Sequence, residues 1–509
     1  MLRRTLTALF AILLAGGAIV FYLLQDANRF KPQLQALLQE QTGAPVRITG
    51  PLTWQLFPPL VLRAQSIEAE LAGAQWRVGQ LDLDLDVMTV LNDRGVSGWQ
   101  LQAVGLKDVV QVIDGGRLRI ANAELTQFSL GSQAAFSAAL DYTPDFEQTV
   151  ATTIPAKVSG LVTVHGDAQG ADLTAITFST PNAAGTCNMQ LVRAQPTRAA
   201  PTPTDDDIVS VALLRAVDWL GDCQLTRLML ADRDFHNASV KLKNTAGVAR
   251  TVMVLPQFLG GKAKVVVVTR AQHIPVRWLI KSTLSGVHSQ RLMAWLDQEL
   301  QWAAPLAYNG SIALTGNTPQ ALLASIEGET KFDGARGNIS ITQIKQPLQG
   351  LATLLKEPER MSAWPDLWQY EELTGRWRVN GSNHELALAL DNLRVLAKGS
   401  YNVTEDQLDM LAELQFVSLH EGAMFDVNPL LMDLPIPLQC NGSVENPSCR
   451  LAPDAAQRIM ASVLTSGENS ALRAKLDAKI EEQVPEQFRD AARDLLDLLG
   501  DSLNRDTLR

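Results

Sequence analysis

The sequence predicts a mainly β protein with helices, lying between an N-terminal transmembrane helix and a helical C-terminal tail. Three observations predict this fold class. Residues 5–24 form an uncharged run of the length that spans a bilayer. Short segments in which apolar and polar residues alternate then recur through most of the chain, as in half-buried strands. The alternation ends after residue 453, where apolar residues return at helical spacing.

The N-terminal run predicts a membrane anchor. Arg3 and Arg4 precede it, so the positive-inside bias keeps the first residues cytoplasmic and exports the rest of the chain. Tyr22 suits the interface at the exit end. The alternative is a cleaved signal peptide with a site in the small residues 15–18, although the apolar run continues past them. We expect residues 1–25 to be a cytoplasmic stub and a single-pass anchor.

The charge of the chain disfavours two classes of partner. The formal net charge is −10, without long runs of like charge. Nucleic-acid binding needs a basic patch, and attraction to anionic headgroups needs a polybasic one. We therefore expect no nucleic-acid partner and a mildly acidic exported body.

Four cysteines, Cys187, Cys223, Cys440 and Cys449, would lie in an oxidising compartment if the body is exported. Four cysteines allow three pairings, and proximity along the chain favours Cys187 with Cys223 and Cys440 with Cys449. Metal ligation is the alternative, but no pair has CxxC spacing and no histidine stands near them at ligand spacing. We expect two disulfides and no metal site.

Residues 80–87 are the clearest predicted strand. Leu81, Leu83, Leu85 and Val87 alternate with three aspartates, so one face is apolar and the other is charged. A calcium loop is an alternative interpretation of the aspartates. However, residues two apart on a strand form a spread row, and the glycine of an EF-hand loop is missing. A solvated strand face is the better interpretation.

Leu386, Leu388 and Leu390 repeat this pattern, and we expect their side chains to share one face. Asn-Gly pairs at residues 309–310, 380–381 and 441–442 stand before strand-like runs and predict type I′ hairpins. The sequence has no strict repeat period, which argues against a propeller or a regular β-helix. We expect antiparallel meanders with one apolar face.

Helices are predicted at a few places within the β region. A short amphipathic helix begins near Pro32, and another spans residues 208–220 after an aspartate N-cap. Two more are predicted at residues 289–302 and 346–370, the second of them broken by Pro365.

Two further segments stand out by composition. Residues 193–207 are rich in Pro, Thr and Ala and predict a solvated excursion within the span that the first cysteine pair closes. Residues 454–509 predict helices, which we expect to cover the edge of the sheet remote from the anchor. The alternative is that they dock on an outer-membrane partner or on the membrane interface.

The sequence carries no recognised catalytic or cofactor motif. The six histidines stand singly, without HExxH, and no Walker loop, GxSxG elbow or GxGxxG helix start occurs. Gly260, Gly261 and Lys262 lack the upstream glycine and the downstream Ser or Thr of a P-loop. The ten tryptophans are spread through the chain, which favours packing over a sugar platform. We expect no enzyme activity, no catalytic residue and no cofactor.

Several segments, in order along the chain, resemble the AsmA family of inner-membrane-anchored periplasmic proteins of Gram-negative bacteria. The first follows the anchor directly, and the last contains the second cysteine pair within a P…C.G…P.C..D pattern. The segments are residues 30–70, 213–221, 255–261, 326–347 and 434–454. From the anchor to the last of these segments, the resemblance extends over nearly the whole chain.

The resemblance implies an elongated, curved, antiparallel-rich β-sheet with an apolar concave groove, as in bridge-like lipid transfer proteins. It implies an anchor in the inner membrane and a periplasmic body that moves phospholipids from the inner to the outer membrane. That activity would support outer-membrane biogenesis. The AsmA-like regions would be residues 26–300 and 301–453. The candidate groove residues are Leu81, Leu83, Leu85, Val87, Leu386, Leu388 and Leu390.

An apolar strand face must meet another sheet, itself or a lipid, so the strands leave two functions open. In a lipid carrier the faces hold acyl chains, at about 0.8 kcal/mol per buried CH₂. In a non-transporting periplasmic scaffold or assembly factor for outer-membrane proteins, the faces close into dry sandwiches and edge strands bind proteins. Phospholipids and the inner membrane are the expected partners in the first case, and envelope proteins in the second.

Overall fold

A computed structural model describes most of the chain between residues 26 and 453. The described residues are 26–42, 44–55, 59–71, 74–92, 100–113, 116–127, 131–144, 153–166, 169–194, 207–342, 345, 363–402, 405–418, 424–427, 432–443, 447–453 and 478. Over these residues the protein is mainly β, with large antiparallel sheet structure and few helices, as the sequence predicts.

The chain divides into two compact units. Unit 1 comprises residues 1–253 and 270–272, and unit 2 comprises residues 254–269 and 273–509. The boundary therefore falls inside the strand Val248–Phe258, and the turn that follows the strand Gly261–Arg270 belongs to unit 1. The sequence-based boundary at residue 300 lies inside unit 2.

The described helices are short. They are a 3₁₀ turn at Ala27–Phe30, α1 at Lys31–Thr42, α2 at Val87–Asn92, α3 at Val211–Ala216, α4 at Ser289–Trp295 and α5 at Pro319–Ala324. The strands up to residue 245 are β1 (Val46–Ile48), β2 (Leu52–Gln55), β3 (Leu60–Leu71), β4 (Ala74–Leu85), β5 (Leu101–Ile113), β6 (Gly116–Thr126), β7 (Gln133–Pro144), β8 (Ile154–Val164), β9 (Gly170–Ser179), β10 (Ala183–Arg193), β11 (Val217–Leu230) and β12 (Arg233–Thr245).

Among the later strands, three between residues 302 and 370 have only two to four residues. The later strands are β13 (Val248–Phe258), β14 (Gly261–Arg270), β15 (Arg277–His288), β16 (Trp302–Ala303), β17 (Pro305–Thr315), β18 (Glu327–Asp333), β19 (Gly337–Ser340), β20 (Leu367–Tyr370), β21 (Leu373–Asn380), β22 (Asn383–Leu390), β23 (Leu393–Asn402), β24 (Gln407–Phe416), β25 (Ile436–Gly442) and β26 (Pro447–Leu451).

Unit 1 is an antiparallel meander. From β3 to β12 each strand pairs with the next one along the chain. The strand β1 pairs with the second half of β3, and β2 pairs with its first half. Together β1 and β2 form one interrupted strand beside β3. Such consecutive pairing needs only short turns, which suits the alternating segments of the sequence.

The helix α1 covers the first strands of unit 1. Leu34 is 1% exposed and packs in one apolar cluster with residues of β1–β4, while Leu37 and Leu38 pack against the same cluster. The 3-and-4 spacing places these leucines on one face of the helix. Lys31 Nζ donates to the Gly50 carbonyl oxygen at 3.0 Å and ties the start of the helix to the edge strands.

Unit 2 contains two antiparallel sheets. In the larger sheet β15 pairs with β17, β17 with β18, β18 with β21, and each strand from β21 to β26 with the next. The strands β16, β19 and β20 form the smaller sheet. The described residues between 334 and 372 thus lie outside the main meander, which resumes at β21.

The smaller sheet helps to build the core of unit 2. Trp302 Nε1 donates to the Tyr370 hydroxyl at 2.7 Å, and that hydroxyl donates to the Gly334 carbonyl oxygen at 3.0 Å. Tyr370 is 1% exposed, and burial raises the pKa of its hydroxyl. Both polar groups are satisfied inside an apolar cluster, as buried polar groups require.

Two predicted helices are shorter in the structure. Of residues 208–220 only α3 is helical, and its N-cap is Ser210, whose Oγ accepts from Leu213 N at 3.2 Å. Val217 onward joins β11, because pairing with strands on both sides outweighs helical periodicity. Of residues 289–302 only α4 is helical, and Asp297 adopts a positive φ of 56° beyond it.

Three other sequence predictions need correction. The strand predicted to reach Val87 ends at Leu85, because Asp86 Oδ1 accepts from Thr89 N at 3.0 Å and starts α2. The end of the helix predicted at residues 346–370 is the strand β20. The Asn309–Gly310 pair lies inside β17 rather than in a turn, whereas Gly381 does form the β21–β22 turn.

Several predictions fall on residues outside the described ones. These are the anchor at residues 5–24, most of the excursion at 193–207, the first part of the helix at 346–370 and nearly all of the tail at 454–509. Among the residues that the structure does describe, no helix has the length and apolar character needed to cross a bilayer.

Candidate functional site

The meander of unit 1 has one apolar and one polar face. Cross-strand partners from β4 to β9 form a continuous apolar row: Leu81, Leu106, Ala123, Ala138, Val158 and Phe178. The neighbouring row points to the opposite face and is polar: Asp82, Gly105, Glu124, Ser137, Ser159 and Thr177. Alternation along each strand is thus kept in register across six strands.

Burial of the apolar face changes across unit 1. Near α1, Leu81, Leu83 and Leu85 are 6%, 7% and 2% exposed. Farther along the meander, side chains such as Leu125 and Val158 are only partly buried. Within the part of the chain that the structure describes, no residue of β6–β10 belongs to either apolar core cluster. The middle of the sheet therefore presents apolar rows that no described core covers.

Unit 2 repeats this organisation. One row on its apolar face joins Trp377, Leu386, Ala397, Ala412 and Leu438 across β21–β25. At one margin Leu390, Leu393 and Phe416 are almost fully buried, whereas Leu386 and Leu388 are partly exposed.

An aromatic cluster builds the buried margin of unit 2. Phe425 stacks on Trp368 with ring centroids 3.9 Å apart and also contacts Trp364 and Phe416. Asn392, 1% exposed, holds the backbone of Phe425 by accepting from its N at 2.8 Å and donating to its carbonyl oxygen at 3.3 Å. The side-chain amide substitutes for a strand partner.

The polar face of unit 2 carries a ladder of paired charges. Arg378 lies 3.2 Å from Glu329 and 3.8 Å from Glu385, and Lys398 lies 3.5 Å from Glu385. The hydrogen bond from Arg378 is the largest of the effects that lower the pKa of Glu329. An open groove of about 850 Å³ runs along these side chains. Paired charges keep this face hydrated.

The structure separates the predicted groove residues into three groups. Leu81, Leu83 and Leu85 share a strand face, but they pack in the core beneath α1. Val87 does not continue that face, because it begins α2, where it is 47% exposed. The residues of β22 share one face as predicted: Leu390 is in the core, while Leu386 and Leu388 pack against the core and are partly exposed.

Both predicted disulfides are confirmed. Cys187 lies directly opposite Cys223 across β10 and β11, and Cys440 lies opposite Cys449 across β25 and β26. The cysteines share the apolar faces of their strands with Met189 and Leu438. Each disulfide therefore links neighbouring strands across the face that carries the apolar rows.

Sequence reasoning missed two features of these faces. Phe136, Phe178 and Phe332 lie opposite Gly160, Gly185 and Gly375 in neighbouring strands. His384, one of the singly spaced histidines, stacks on Trp377 with ring centroids 5.5 Å apart. Both features depend on cross-strand register, for which the sequence holds no local signal.

The described residues give no geometry for metal chemistry. Among them, no group of three or more His, Cys, Asp or Glu side chains is placed to hold a metal ion. Asp82 pairs instead with Arg63 at 2.7 Å and with Lys107 at 3.7 Å on the polar face. The face is only partly solvated, because Asp84 Oδ1 is buried and burial raises the pKa of that carboxyl.

Comparison with known protein families, curated proteins and solved structures finds no match for this chain.

Proposed function

We propose that this chain moves phospholipids from the inner to the outer membrane, as its resemblance to the AsmA family implies. One observation supports the proposal most directly. Most apolar side chains on this face of β6–β10 are partly exposed, Ala134 and Ile176 being buried, and none of them belongs to either described core cluster. A contiguous apolar surface on a folded protein marks a site for a ligand, a partner or a membrane.

The residues of these rows favour an acyl chain over a protein partner. Protein interfaces concentrate their binding energy in a few aromatic and arginine anchors. The rows of β6–β8 are instead mostly aliphatic or small, as Ala123, Ala138 and Val158 illustrate. Such a surface offers many similar contacts, each worth about 0.8 kcal/mol per buried CH₂. An acyl chain could shift along these contacts without losing most of its binding energy.

The disulfides support an extracytoplasmic location for this activity. Stable disulfides form in oxidising compartments such as the bacterial periplasm and are rare in the cytosol. Two disulfides account for all four cysteines of the sequence. A periplasmic body anchored in the inner membrane fits this chemistry, and it is part of the proposal.

One observation favours the second candidate, an assembly factor that binds proteins by strand addition. Within the described residues, β26 pairs with β25 alone and so lies at the edge of its sheet. An edge strand has unpaired backbone groups that can accept another strand. The lipid carrier is the better supported function, because strand addition leaves the partly exposed apolar rows without a role.

Lipid counting by native mass spectrometry separates the two functions. Val158 and Ser159 are neighbours on β8 and point to opposite faces. We expect Val158→Glu to reduce the phospholipid that co-purifies with the chain, because the carboxylate would interrupt the apolar rows. Ser159→Glu is the matched control and should leave it unchanged. Wild-type protein without bound phospholipid would favour the assembly factor.

A further inference from the structure

His384 is an ionisable side chain on the apolar face of unit 2. It lies opposite Val379 and Gly399 and shares its face of β22 with Leu386. Its ring is stacked on Trp377 at an interplanar angle of 13° and meets the ring of Tyr401 edge-on, with centroids 6.0 Å apart. The imidazole is therefore fixed in orientation by aromatic rings.

The hydrogen bond from Trp377 defines the tautomer of His384. Trp377 Nε1 donates to His384 Nδ1 at 3.1 Å. An indole N–H is only a donor, so Nδ1 must be the acceptor and carries no proton. Neutral imidazole has one N–H, which is then on Nε2. Burial lowers the pKa of His384 and favours this neutral form.

The Nε2–H group has no acceptor within the part of the chain that the structure describes. The nearby Tyr401 hydroxyl hydrogen-bonds to Asp406 Oδ1 at 3.0 Å instead. A half-buried donor without an acceptor is unfavourable unless water or a ligand supplies one. The environment thus combines an apolar wall with one oriented hydrogen-bond donor.

We infer that His384 Nε2–H binds an ester or phosphate oxygen of a glycerophospholipid whose acyl chains lie on the apolar face of unit 2. The inference rests on the proposed function and adds a polar contact to it. A pure hydrocarbon offers no acceptor to this donor, whereas a glycerophospholipid carries ester and phosphate oxygens next to its acyl chains. His384 would therefore select lipids with a glycerol-linked headgroup over plain hydrocarbons.

Fluorescence titration of the full chain with two probes tests the inference. One probe is phosphatidylglycerol with a pyrene-labelled acyl chain, and the other is an alkylpyrene of the same chain length. His384→Leu keeps an apolar side chain and removes the donor. We expect it to weaken phosphatidylglycerol binding about threefold to tenfold, the usual effect of one hydrogen bond, and to leave alkylpyrene binding unchanged or stronger. His384→Gln places an amide N–H near the position of Nε2 and should retain most of the affinity.

The outcomes distinguish this inference from the proposed function. If wild-type protein binds neither probe, the proposed function fails and the inference fails with it. If wild type binds both probes and His384→Leu weakens neither or both equally, the inference alone is overturned. Inorganic phosphate at millimolar concentration should not displace either probe, and displacement of phosphatidylglycerol by it would indicate an anion site instead.

Nitrogen-15 NMR of labelled histidine checks the tautomer directly. We expect His384 to show a protonated Nε2 and an unprotonated Nδ1 in wild-type protein. Trp377→Phe removes the fixing donor and should produce a mixture of tautomers. A wild-type spectrum with the proton on Nδ1 would overturn the inference whatever the titration shows.

Discussion

Phe332 lies directly opposite Gly375, and its ring occupies the space that a Cβ on Gly375 would need. The same relationship holds between Phe136 and Gly160, where the added Cβ would lie 3.0 Å from a ring carbon of Phe136. An aromatic ring lying over a glycine shields the glycine backbone and packs close against the sheet. Glycine is therefore needed at these positions because the ring packs over it, and not because the chain turns there.

Gly375→Ala should lower the stability of unit 2 by about 1–3 kcal/mol, the usual cost of overpacking. The new methyl group would force the Phe332 ring away from its site near Trp302. Gly105→Ala is the control in unit 1, because its Cβ would meet only Asp82 Cβ at 3.5 Å and Asp82 O at 4.0 Å. Thermal unfolding followed by tryptophan fluorescence measures both variants. Equal effects of the two would show that the ring does not depend on the glycine.

The disulfide that closes the longer loop should contribute more to stability, although the contribution grows only with the logarithm of loop length. Cys440 and Cys449 are 9 residues apart, and Cys187 and Cys223 are 36 apart. The chain-entropy relation gives about 2.7 kcal/mol for the shorter loop and about 3.8 kcal/mol for the longer one. Replacing each pair by alanine and measuring urea unfolding tests this order. Alkylation of four thiols in unreduced protein would contradict both disulfides.

Asn392→Ala should release the segment that carries Phe425. The variant leaves Phe425 N and O without the side-chain partners they have now, at about 1–3 kcal/mol for each unsatisfied group. Trp368, stacked on Phe425, should then show altered fluorescence and greater quenching by iodide. Asn383→Ala, at an exposed position beside the β21–β22 turn, is the control. An unchanged spectrum in Asn392→Ala would contradict the role of Asn392 in holding this segment.

The low pKa of His384 predicts a pH dependence of unit 2. Burial lowers the pKa of His384 in the folded chain, so the unfolded chain, in which the pKa is about 6.5, binds the proton more readily. Stability should therefore fall as the pH drops below about 6.5 and level off below the folded pKa. Tyr401 faces the ring, but burial raises the pKa of its hydroxyl, so it does not titrate in this range. The difference in stability between wild type and His384→Gln, measured from pH 8 to pH 4, isolates the effect; a constant difference would contradict it.

Much of the fold could be predicted from the sequence because strand alternation is a local property. Leu81, Leu83 and Leu85 alternate with aspartates, and the structure places the leucines on one face and the aspartates on the other. The cysteine pairings also followed from proximity along the chain. Both signals survive folding because a meander joins strands that are neighbours in sequence.

The features that sequence analysis missed depend on contacts between distant residues. The periodicity of residues 208–220 resembles a helix, yet Val217 and Trp219 are strand residues because Arg193 and Leu191 lie opposite them. Likewise, nothing near Leu83 in the sequence shows that it shares a buried apolar cluster with Leu34 of α1. For the candidate site, the sequence predicted the apolar and polar strand faces. It did not predict which parts of the apolar faces are buried in a core.

Photo-crosslinking from adjacent positions of β6 tests the central claim most directly. Leu125 pairs with Val104 and Phe136 on the apolar face, while Glu124 pairs with Gly105 and Ser137 on the polar face. A benzophenone amino acid placed at each position in turn, in cells that express the full chain, reports what lies within reach of that face. We predict phospholipid adducts from position 125 and none from position 124. Protein adducts from position 125, or equal lipid labelling from both positions, would contradict the lipid-carrying face.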